Sequence, residues 1–474
     1  MPSPTPFGNP MKSQFLIGPN YRNLNHGSFG TYPISLLEAQ QTLQKSLEAA
    51  PDIFIRYTQP PLLDKSRAVL ANLLNVPVSD CVLVRNATTG VNTVLHNLAI
   101  TRELTSNDVV IYFETVYGAV ERTLLALRES WGVQLRKVKY AFPLEEGELI
   151  ARFKAVVEGV KRQGLNPKVA VFETVISNPG IRFPFEEVTA LCKKLGILSC
   201  IDGAHGVGMI NLDLGRLGCD FFTSNCHKWL YTPRSCAVLY VPERNQRFIR
   251  TSLPTSWGYI PPTPPPVPAF STAASSSSNS VGEEGEELLP SVLPDNGKSP
   301  FITLFEFTGT TDDSAYSCVP AAMKFRKEVC GGEEKIYSYL EELAGEAGNV
   351  VANALGTDIL RAVKGGKGGL GCSMVNVRLP IRVSDEDERQ KKRDGIVTVR
   401  SADVSPLAHY LHEKLIEKGT FVPCFQHGEW FYTRLSAQIY LEKSDFVWLG
   451  DVLKEILGGA EGFLGTLKVP RANL

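Results

Sequence analysis

The sequence lacks the cysteine spacing that builds a disulfide framework or a metal site. Its ten cysteines are scattered over 474 residues, and no CxxC pair occurs. This usage favours a reducing compartment and predicts no bound metal. The start Met1–Pro6 lacks the basic residues and apolar run of a signal peptide, and no apolar stretch is long enough to cross a bilayer. We therefore expect a cytoplasmic protein with no membrane partner.

An excess of charge of one sign is missing as well. The formal net charge is -1, whereas nucleic-acid binders show a basic excess, so we expect no nucleic-acid partner. The basic run 389–393 lies among acidic residues and is typical of a solvated loop. With 43% hydrophobic and 21% charged residues, the composition is that of a globular protein, and the length predicts two domains.

What the sequence does contain is a regular alternation of strands and helices. The apolar spacing is helical over Ser35–Ala50 and Pro61–Leu74. This rhythm predicts a mostly parallel sheet covered by helices, with ligands at the carboxyl ends of its strands. The predicted strands are Cys81–Val84, Asp108–Phe113, Lys168–Phe172 and Ile197–Ile201, and the helices between them are Ala119–Ser130 and Phe185–Leu195.

The composition changes abruptly between Tyr259 and Ser299. This stretch is rich in proline, serine and glutamate and cannot bury enough apolar surface to order itself, so we predict a disordered insertion. The C-terminal region predicts strands at Met374–Leu379 and Glu429–Ser436 and a helix at Leu407–Lys418. The predicted organisation is an arm (1–30), a large domain (31–258), the insertion (259–299), a return segment of the large domain (300–320) and a smaller α+β domain (321–474).

An aspartate and a lysine follow successive predicted strands. Asp202 ends one strand, and Lys228 follows a short apolar strand in the segment Asp220–Trp229. Pyridoxal 5'-phosphate (PLP) chemistry needs this pair, because the amine joins the aldehyde as a Schiff base and the carboxylate keeps the pyridine nitrogen protonated. A turn aspartate and a surface lysine are the alternatives for each residue alone. Together the two residues favour a PLP site with Lys228 as a catalytic residue.

A second motif predicts where the cofactor phosphate binds. Ala87, Thr88 and Thr89 follow a predicted strand at the start of a helix. Such a helix start offers free N–H groups, hydroxyl donors and the positive end of the helix dipole. The same residues would also form an ordinary helix cap. The motif therefore indicates phosphate binding only in combination with Lys228.

Two more residues fall at the same predicted sheet edge. Tyr117 follows the strand that ends at Phe113 and would stack on the cofactor ring or donate a proton. The alternative is a partly buried tyrosine with a satisfied hydroxyl. Asn178 follows the strand that ends at Phe172 and would bond the phenolic oxygen of the cofactor, unless it only begins the turn that Asn-Pro-Gly favours.

The last predicted strand carries a candidate substrate-binding face. Because side chains alternate along a strand, Trp430, Tyr432 and Arg434 share one face. The arginine would hold a substrate carboxylate, and the aromatic rings would attract a cationic group. The alternative is a salt-bridged arginine beside core aromatics.

These motifs together resemble the class V aminotransferase group of fold-type I PLP enzymes. The similar segments are Asn25–Gly30, Asp202–His205, His227–Lys228, Gly309–Thr311 and Arg434–Ser436. The resemblance implies a mostly parallel seven-stranded sheet, with Asn25 and His26 at the substrate and His205, Ser224 and His227 at the cofactor. It also implies a homodimer with shared active sites, in which Thr310 reaches the phosphate of the neighbouring subunit's cofactor.

Within this group the start Asn25–Gly30 is similar to the isopenicillin N epimerase-like branch, which contains the hercynylcysteine sulfoxide lyases of ergothioneine biosynthesis. The resemblance implies a C–S lyase that releases pyruvate and ammonia by β-elimination. Lys228 would remove the α-proton, and Tyr117 would be the acid for the leaving sulfur.

Three other functions remain open from the sequence. The first two are an amino-acid epimerase or aminotransferase and a PLP-fold scaffold without catalysis. The third is a cysteine desulfurase, which needs a nucleophilic cysteine in an Arg-x-Gly-x-x-Cys pattern that does not occur. Cys424 is the nearest candidate, and we expect it to be packed in the core.

Overall fold

The structure is a computed structural model that describes residues 4–262, 297–364, 369–385 and 396–466. The centre of the predicted insertion, residues 263–296, and the basic run 389–393 lie outside the described residues. At the near edge of the insertion, the Ile260 N–H donates to the Arg250 carbonyl over 2.9 Å. In the described ranges no helix combines the length and hydropathy that a membrane span requires.

The strands form two sheets. Their bounds are β1 (Cys81–Val84), β2 (Asp108–Phe113), β3 (Gln134–Val138), β4 (Asn166–Glu173), β5 (Leu198–Asp202), β6 (Phe221–Asn225), β7 (Ala237–Tyr240), β8 (Ile359–Leu360), β9 (Met374–Val383), β10 (Val397–Val399), β11 (Cys424–His427) and β12 (Trp430–Ser436).

Helices precede, connect and follow these strands. Their bounds are α1 (Asn9–Lys12), α2 (His26–Phe29), α3 (Ile34–Ala49), α4 (Pro51–Ile53), α5 (Gln59–Leu74), α6 (Ala87–Ile100), α7 (Gly118–Trp131), α8 (Glu148–Arg162), α9 (Phe185–Leu195), α10 (Leu214–Leu217), α11 (Cys226–Trp229), α12 (Glu243–Gln246), α13 (Pro300–Glu306), α14 (Val319–Glu328), α15 (Glu333–Leu355), α16 (Val404–Glu417) and α17 (Lys443–Thr466). Single 3-10 turns occur at Val78–Asp80, Tyr316–Cys318 and Ser401–Asp403, and Phe54–Thr58 forms a π turn.

The larger sheet has seven strands in the order β1-β7-β6-β5-β4-β2-β3. Strands β3, β2, β4, β5 and β6 run parallel, and β7 runs antiparallel to both of its neighbours. The predicted mostly parallel seven-stranded sheet is confirmed. Strand β7, which was not predicted, pairs with both β1 and β6 and so joins β1 to the rest of the sheet.

Helices cover both faces of this sheet, which explains why its strands are apolar throughout. Every residue of β2 is buried, as expected for a parallel strand packed on two sides. On one face, Val91 and Leu95 of α6 and Leu124 of α7 pack in a single apolar cluster. On the other face, Phe153 of α8 and Val188 of α9 belong to a second cluster. Helix α9 ends at Gly196, whose φ of 70° suits a left-handed helix end.

The second sheet belongs to a smaller α+β domain, as predicted. Its strands follow the order β10-β9-β12-β11, with β8 also paired to β9. The pairs β9/β12, β11/β12 and β8/β9 are antiparallel, and β10 is parallel to β9. Helix α15 packs on β9 and on α17. Where one domain ends and the next begins stays a prediction.

The N-terminal segment is attached to the smaller domain. The Gly8 N–H donates to the Ile439 carbonyl over 2.8 Å. Met11 and Phe15 are buried, and the Phe15 ring meets the Tyr440 ring with centroids 4.8 Å apart. These contacts bring Asn25 and His26 to the region where the two sheets approach each other.

Candidate active site

The carboxyl ends of β4, β5 and β6 lie side by side and form the floor of the site. They end at Glu173, Asp202 and Asn225. The single helical turn α11 follows β6 directly and carries Lys228, and α6 begins nearby at Ala87. The predicted placement of Asp202 and Lys228 at one sheet edge is therefore what the fold produces.

The Lys228 amine lies against a histidine. The Lys228 Nζ lies 3.1 Å from His205 Nε2, and the Trp229 indole N–H donates to His205 Nδ1 over 3.2 Å. Because an indole N–H only donates, a neutral His205 ring carries its proton on Nε2 and donates it to the amine. Burial keeps the pKa of His205 well below its usual value, and burial followed by the Arg434 charge lowers the pKa of Lys228 to about 8.

Three contacts fix the backbone of the lysine turn. His26 Nε2 donates to the Lys228 carbonyl over 2.7 Å, and the Tyr440 hydroxyl donates to His26 Nδ1 over 3.0 Å. The Arg326 guanidinium donates to the Trp229 carbonyl over 2.7 Å. Both ring nitrogens of His26 are thus used within the protein. Its structural task is to position Lys228, whereas its predicted contact with substrate stays a prediction.

Ser224 and His227, which were predicted to bind cofactor, both have protein partners. The Ser224 hydroxyl donates to the Gly203 carbonyl over 2.5 Å and accepts from the Val207 N–H over 2.9 Å. Since its single proton is used, Ser224 ties down the loop that follows Asp202. The His227 Nδ1–H donates to the Cys236 carbonyl over 2.9 Å, and burial lowers the pKa of His227 to about 4. A cofactor role for either residue stays a prediction.

Asp202 is a buried carboxyl group that forms no ion pair within the described residues. Its side chain is 3% exposed, and one oxygen accepts from the Ala204 N–H over 2.9 Å. Burial raises its pKa, and Lys228 acts in the opposite direction. No ion pair joins Asp202 to Lys228 or to any other described residue. A pyridinium nitrogen for the carboxylate and an aldehyde for the amine would satisfy both groups, so the site fits PLP.

At the start of α6, Thr88 has hydrogen-bond donors that no other described residue accepts. The Asn86 side chain accepts from the Thr89 N–H, and the Ala87 N–H donates to the Asn225 side chain, each over 2.8 Å. Nothing in the described ranges accepts a hydrogen bond from the Thr88 N–H or hydroxyl. Thr88 therefore suits a phosphate. Asn225 was not predicted, although its position at the carboxyl end of β6 is a signal that could have indicated it.

Arg434 is the second unpaired charge of the site. It is 1% exposed, and its terminal nitrogens donate to the Ser177 carbonyl (2.7 Å), the Asn25 side chain (2.7 Å) and the Ser28 hydroxyl (2.9 Å). All these acceptors are neutral, and Nε has no partner within the described chain. Burial lowers the pKa of Arg434 to about 10. A Cβ at Gly180 would lie 3.0 Å from its Cδ, so the arginine needs a glycine there.

Trp430 and Tyr432 lie in a neighbouring cavity. They line a space of about 500 Å³ together with Phe142 and His427. The Arg378 guanidinium already covers the Trp430 ring at 4.4 Å. The strand alternation was anticipated, but it places only Arg434 beside Lys228. Contact of Trp430 and Tyr432 with substrate stays a prediction.

Three predicted cofactor residues lie at the protein surface. Tyr117 is 50% exposed and directly precedes α7, and Asn178 and Thr310 are also exposed. Their side-chain hydroxyl and amide groups find no hydrogen-bond partner in the part of the chain that the structure describes. Tyr117 is therefore not a buried tyrosine with a satisfied hydroxyl. The cofactor roles of all three residues stay predictions.

The cysteines offer no nucleophile at this site. All ten are free and buried. Burial raises the pKa of the Cys424 thiol to about 12, so the expectation of a packed cysteine is confirmed. Among the described residues no group of histidine, cysteine and acidic side chains could hold a metal ion.

A partly buried lysine and a buried aspartate at the carboxyl edge of a seven-stranded sheet define a fold-type I PLP enzyme. Residues 59–256 match the family model "Aminotransferase class-V". The L-cysteine desulfhydrase-like protein lolT1 of Epichloe uncinata is 38% identical, over 95% of this chain and 96% of its own. The chain belongs to the class V aminotransferase family and is a PLP-dependent enzyme.

One further relative and one solved structure are also similar to this chain. The hercynylcysteine sulfoxide lyase of Schizosaccharomyces pombe is 29% identical, over 95% of this chain and 97% of its own. The solved structure of the cystine C–S lyase C-DES superposes with a TM-score of 0.64 at 18% identity, covering 93% of this chain and 98% of that chain. The latter confirms the fold.

Proposed function

We propose that the protein is a PLP-dependent carbon–sulfur lyase that cleaves a cysteine conjugate by β-elimination, with hercynylcysteine sulfoxide as the best candidate substrate. The observation that carries the amino-acid part is Arg434, a buried guanidinium with neutral partners only and close enough to Lys228 to lower its pKa. The names of the relatives support cleavage of a C–S bond.

Arg434 would bind the α-carboxylate of the substrate. A carboxylate is a stronger acceptor than a hydroxyl, so it would displace the Ser28 hydroxyl from the guanidinium. Asn25 would keep its bond to the other edge of the same nitrogen and hold the plane of the guanidinium. The substrate amino group and Cα would then lie towards Lys228.

The chain's own groups supply proton transfer and charge. When bound, PLP provides an aldehyde for the substrate amine and a ring that accepts electrons from Cα. Lys228, as a free amine, would take the proton from the substrate Cα, and Asp202 would supply a negative charge to the cofactor nitrogen. Thr88 would bond the phosphate. The Tyr117 hydroxyl would give its proton to the leaving sulfur, which for a sulfoxide substrate leaves as a sulfenic acid. One water molecule would then hydrolyse the remaining three-carbon fragment to pyruvate and ammonium.

Space beyond Arg434 favours a conjugate over free cysteine. Gly180, which contacts the Arg434 side chain, lines a cavity of about 190 Å³. That cavity shares Leu360, Arg361 and Val363 with the cavity of about 500 Å³ that contains Tyr432. A large group on the sulfur could extend along this path towards Tyr432. Free cysteine would use none of it.

We also propose a homodimer in which Thr310 of one subunit reaches the phosphate site of the other. The exposed Thr310 and the exposed Phe29, which is 73% accessible, are consistent with a covered surface in the assembly. Sedimentation of the purified protein tests this. A monomer that retains full activity at all concentrations would rule out the shared site.

A product screen tests the reaction. Purified enzyme is incubated with L-cysteine, S-substituted cysteines and their sulfoxides, and pyruvate release is measured. We expect pyruvate from the conjugates, its loss in Lys228→Ala, and no change in the exposed control Lys154→Ala. Pyruvate release by Lys228→Ala at the wild-type rate would overturn the assignment. D-amino acid or keto-acid products would instead indicate an epimerase or an aminotransferase.

A further inference from the structure

Strand β4 ends in an acid that the proposed reaction does not use. Glu173 pairs in register with Asp202 of β5, so the two side chains leave neighbouring parallel strands on the same face of the sheet. Each side chain is 3% exposed. Neither carboxyl oxygen of Glu173 has a partner with normal hydrogen-bond geometry in the described ranges, and no cation pairs with it there. This is an unusually isolated acid beside the site.

The groups that face Glu173 do not favour its ionisation. Asp202 approaches from β5, and Tyr140 approaches from the loop after β3, where its hydroxyl bonds Thr115 over 2.5 Å. The Tyr117 main-chain N–H at the start of α7 is the one group that acts in favour of the carboxylate. Burial first, and then the charge of Asp202, raise the pKa of Glu173 well above its usual value. Two adjacent buried carboxyls do not both ionise easily.

We propose that Glu173 is a positioning residue for Asp202: the pair shares one proton, which Glu173 carries, so that Asp202 alone bears the negative charge facing the cofactor nitrogen. This rests on the proposed function only in taking Asp202 as the partner of that nitrogen. With Glu173 neutral, the two carboxyl groups of Glu173 and Asp202 together carry one negative charge. It thereby keeps the site from gaining a second charge that the single ring nitrogen could not neutralise.

The cofactor-free protein tests the proton directly, independently of any substrate. A raised pKa in the folded state makes stability fall as pH rises from the unfolded value towards the folded one. Thermal unfolding is measured between pH 5 and 8 for wild type, Glu173→Gln and the control Thr174→Val, whose buried hydroxyl is also unpartnered. We expect the midpoint of E173Q to gain on wild type by roughly 1–3 °C per pH unit, whereas T174V follows wild type. Parallel curves for E173Q and wild type would overturn the proposal.

Coupling to Asp202 separates a shared proton from burial alone. The same comparison is made in an Asp202→Asn background, where Glu173 loses its charged neighbour. In this background we expect the unfolding midpoint of the double variant to stop rising relative to Asp202→Asn alone at a lower pH than E173Q does relative to wild type. An unchanged pH range would refute the pair. Should E173Q not fold, the infrared band of a protonated carboxyl in wild type at pH 8 decides, because its absence contradicts a protonated Glu173. Loss of C–S lyase activity alone would leave these results standing.

Discussion

Among the described residues, Arg326 and Arg434 are the two arginines with an exposure of 1% or less, and their surroundings differ. Arg326, where α14 meets the lysine turn, is 0% exposed, forms an ion pair with Glu333, and bonds the Trp229 and Gly208 carbonyls. Arg434, between the two sheets, is 1% exposed and has only neutral acceptors. Despite burial, Glu333 raises the pKa of Arg326, whereas burial lowers the pKa of Arg434.

The difference separates a structural charge from a binding charge. Burying a guanidinium is costly unless a counter-ion accompanies it. Arg326 has its counter-ion in the folded chain and holds the backbone beside Lys228. Arg434 lacks one, as do Asp202 and Lys228, and these three groups meet in one region. We infer that a ligand completes the charge balance there.

Of the two arginines, Arg434 should have the larger effect on activity when it is replaced. In Arg434→Gln, we expect kcat/KM to fall by about 10²–10³, because a buried charged bond to the substrate carboxylate is lost. The unfolding midpoint should stay unchanged or rise, since an uncompensated buried charge is removed. Kinetics and thermal unfolding are measured beside Arg382→Gln, an exposed pair in the same sheet. Wild-type kcat/KM in R434Q would contradict the account.

Removing Arg326 should show the opposite pattern. In Arg326→Met, we expect a loss of about 2–4 kcal/mol of unfolding free energy, because Glu333 and two carbonyls lose their partner. The substrate KM should change little. Denaturant unfolding measures the loss, and Arg400→Met, which breaks an exposed pair with Asp403, serves as the control without measurable change. Equal losses of unfolding free energy in R326M and R400M would show that the buried ion pair stabilises the fold no more than the exposed one.

The pH dependence of Lys228 reactivity sharpens the comparison, because a lysine without a counter-ion should lose its proton early. With a pKa of about 8, the amine is protonated and unreactive below that pH and free above it. In the cofactor-free protein, dinitrophenylation of Lys228 by fluorodinitrobenzene, a reagent that does not itself titrate, should reach half its maximal rate near pH 8. Peptide mass analysis follows Lys228 beside the exposed Lys154. A midpoint above 10 for Lys228 would show an ordinary solvated amine.

The smallest effect concerns the outer cavity. In Tyr432→Leu, we expect KM for a large cysteine conjugate to rise about five-fold, since one aromatic contact is worth roughly 1 kcal/mol. KM for L-cysteine should not change, because a short substrate does not reach this cavity. Steady-state kinetics with both substrates checks the split. An equal change for both would remove Tyr432 from substrate selection.

The local elements of the fold were readable from the sequence because their signals are local. Asp108–Phe113 and Phe185–Leu195 have the predicted bounds. The antiparallel strand Ala237–Tyr240 was missed, because only its pairing with distant Cys81–Val84 reveals its place in the sheet. The Asp202–Lys228 pair was found because strand order brings carboxyl ends together.

The rest of the site depends on tertiary contacts that periodicity does not encode. Alternation placed Trp430 and Arg434 on one face, but they are four positions and about 13 Å apart along the strand. Of these two residues, only Trp430 lines the cavity of about 500 Å³. Glu173 gave no signal of its own, since its meaning comes from the register with Asp202. His26 matched a family segment, yet only the folded chain shows it bonding the Lys228 carbonyl.

The proposed chemistry depends on the amine of Lys228, and one measurement tests the role of this amine most directly. Purified protein is treated with borohydride to fix the cofactor to the lysine that holds it, then digested and mapped by mass. We predict the PLP adduct on the peptide that contains Lys228, with none on other lysines. An adduct on a different lysine, or a protein that retains no PLP, would contradict the assignment of this sheet edge as the active site.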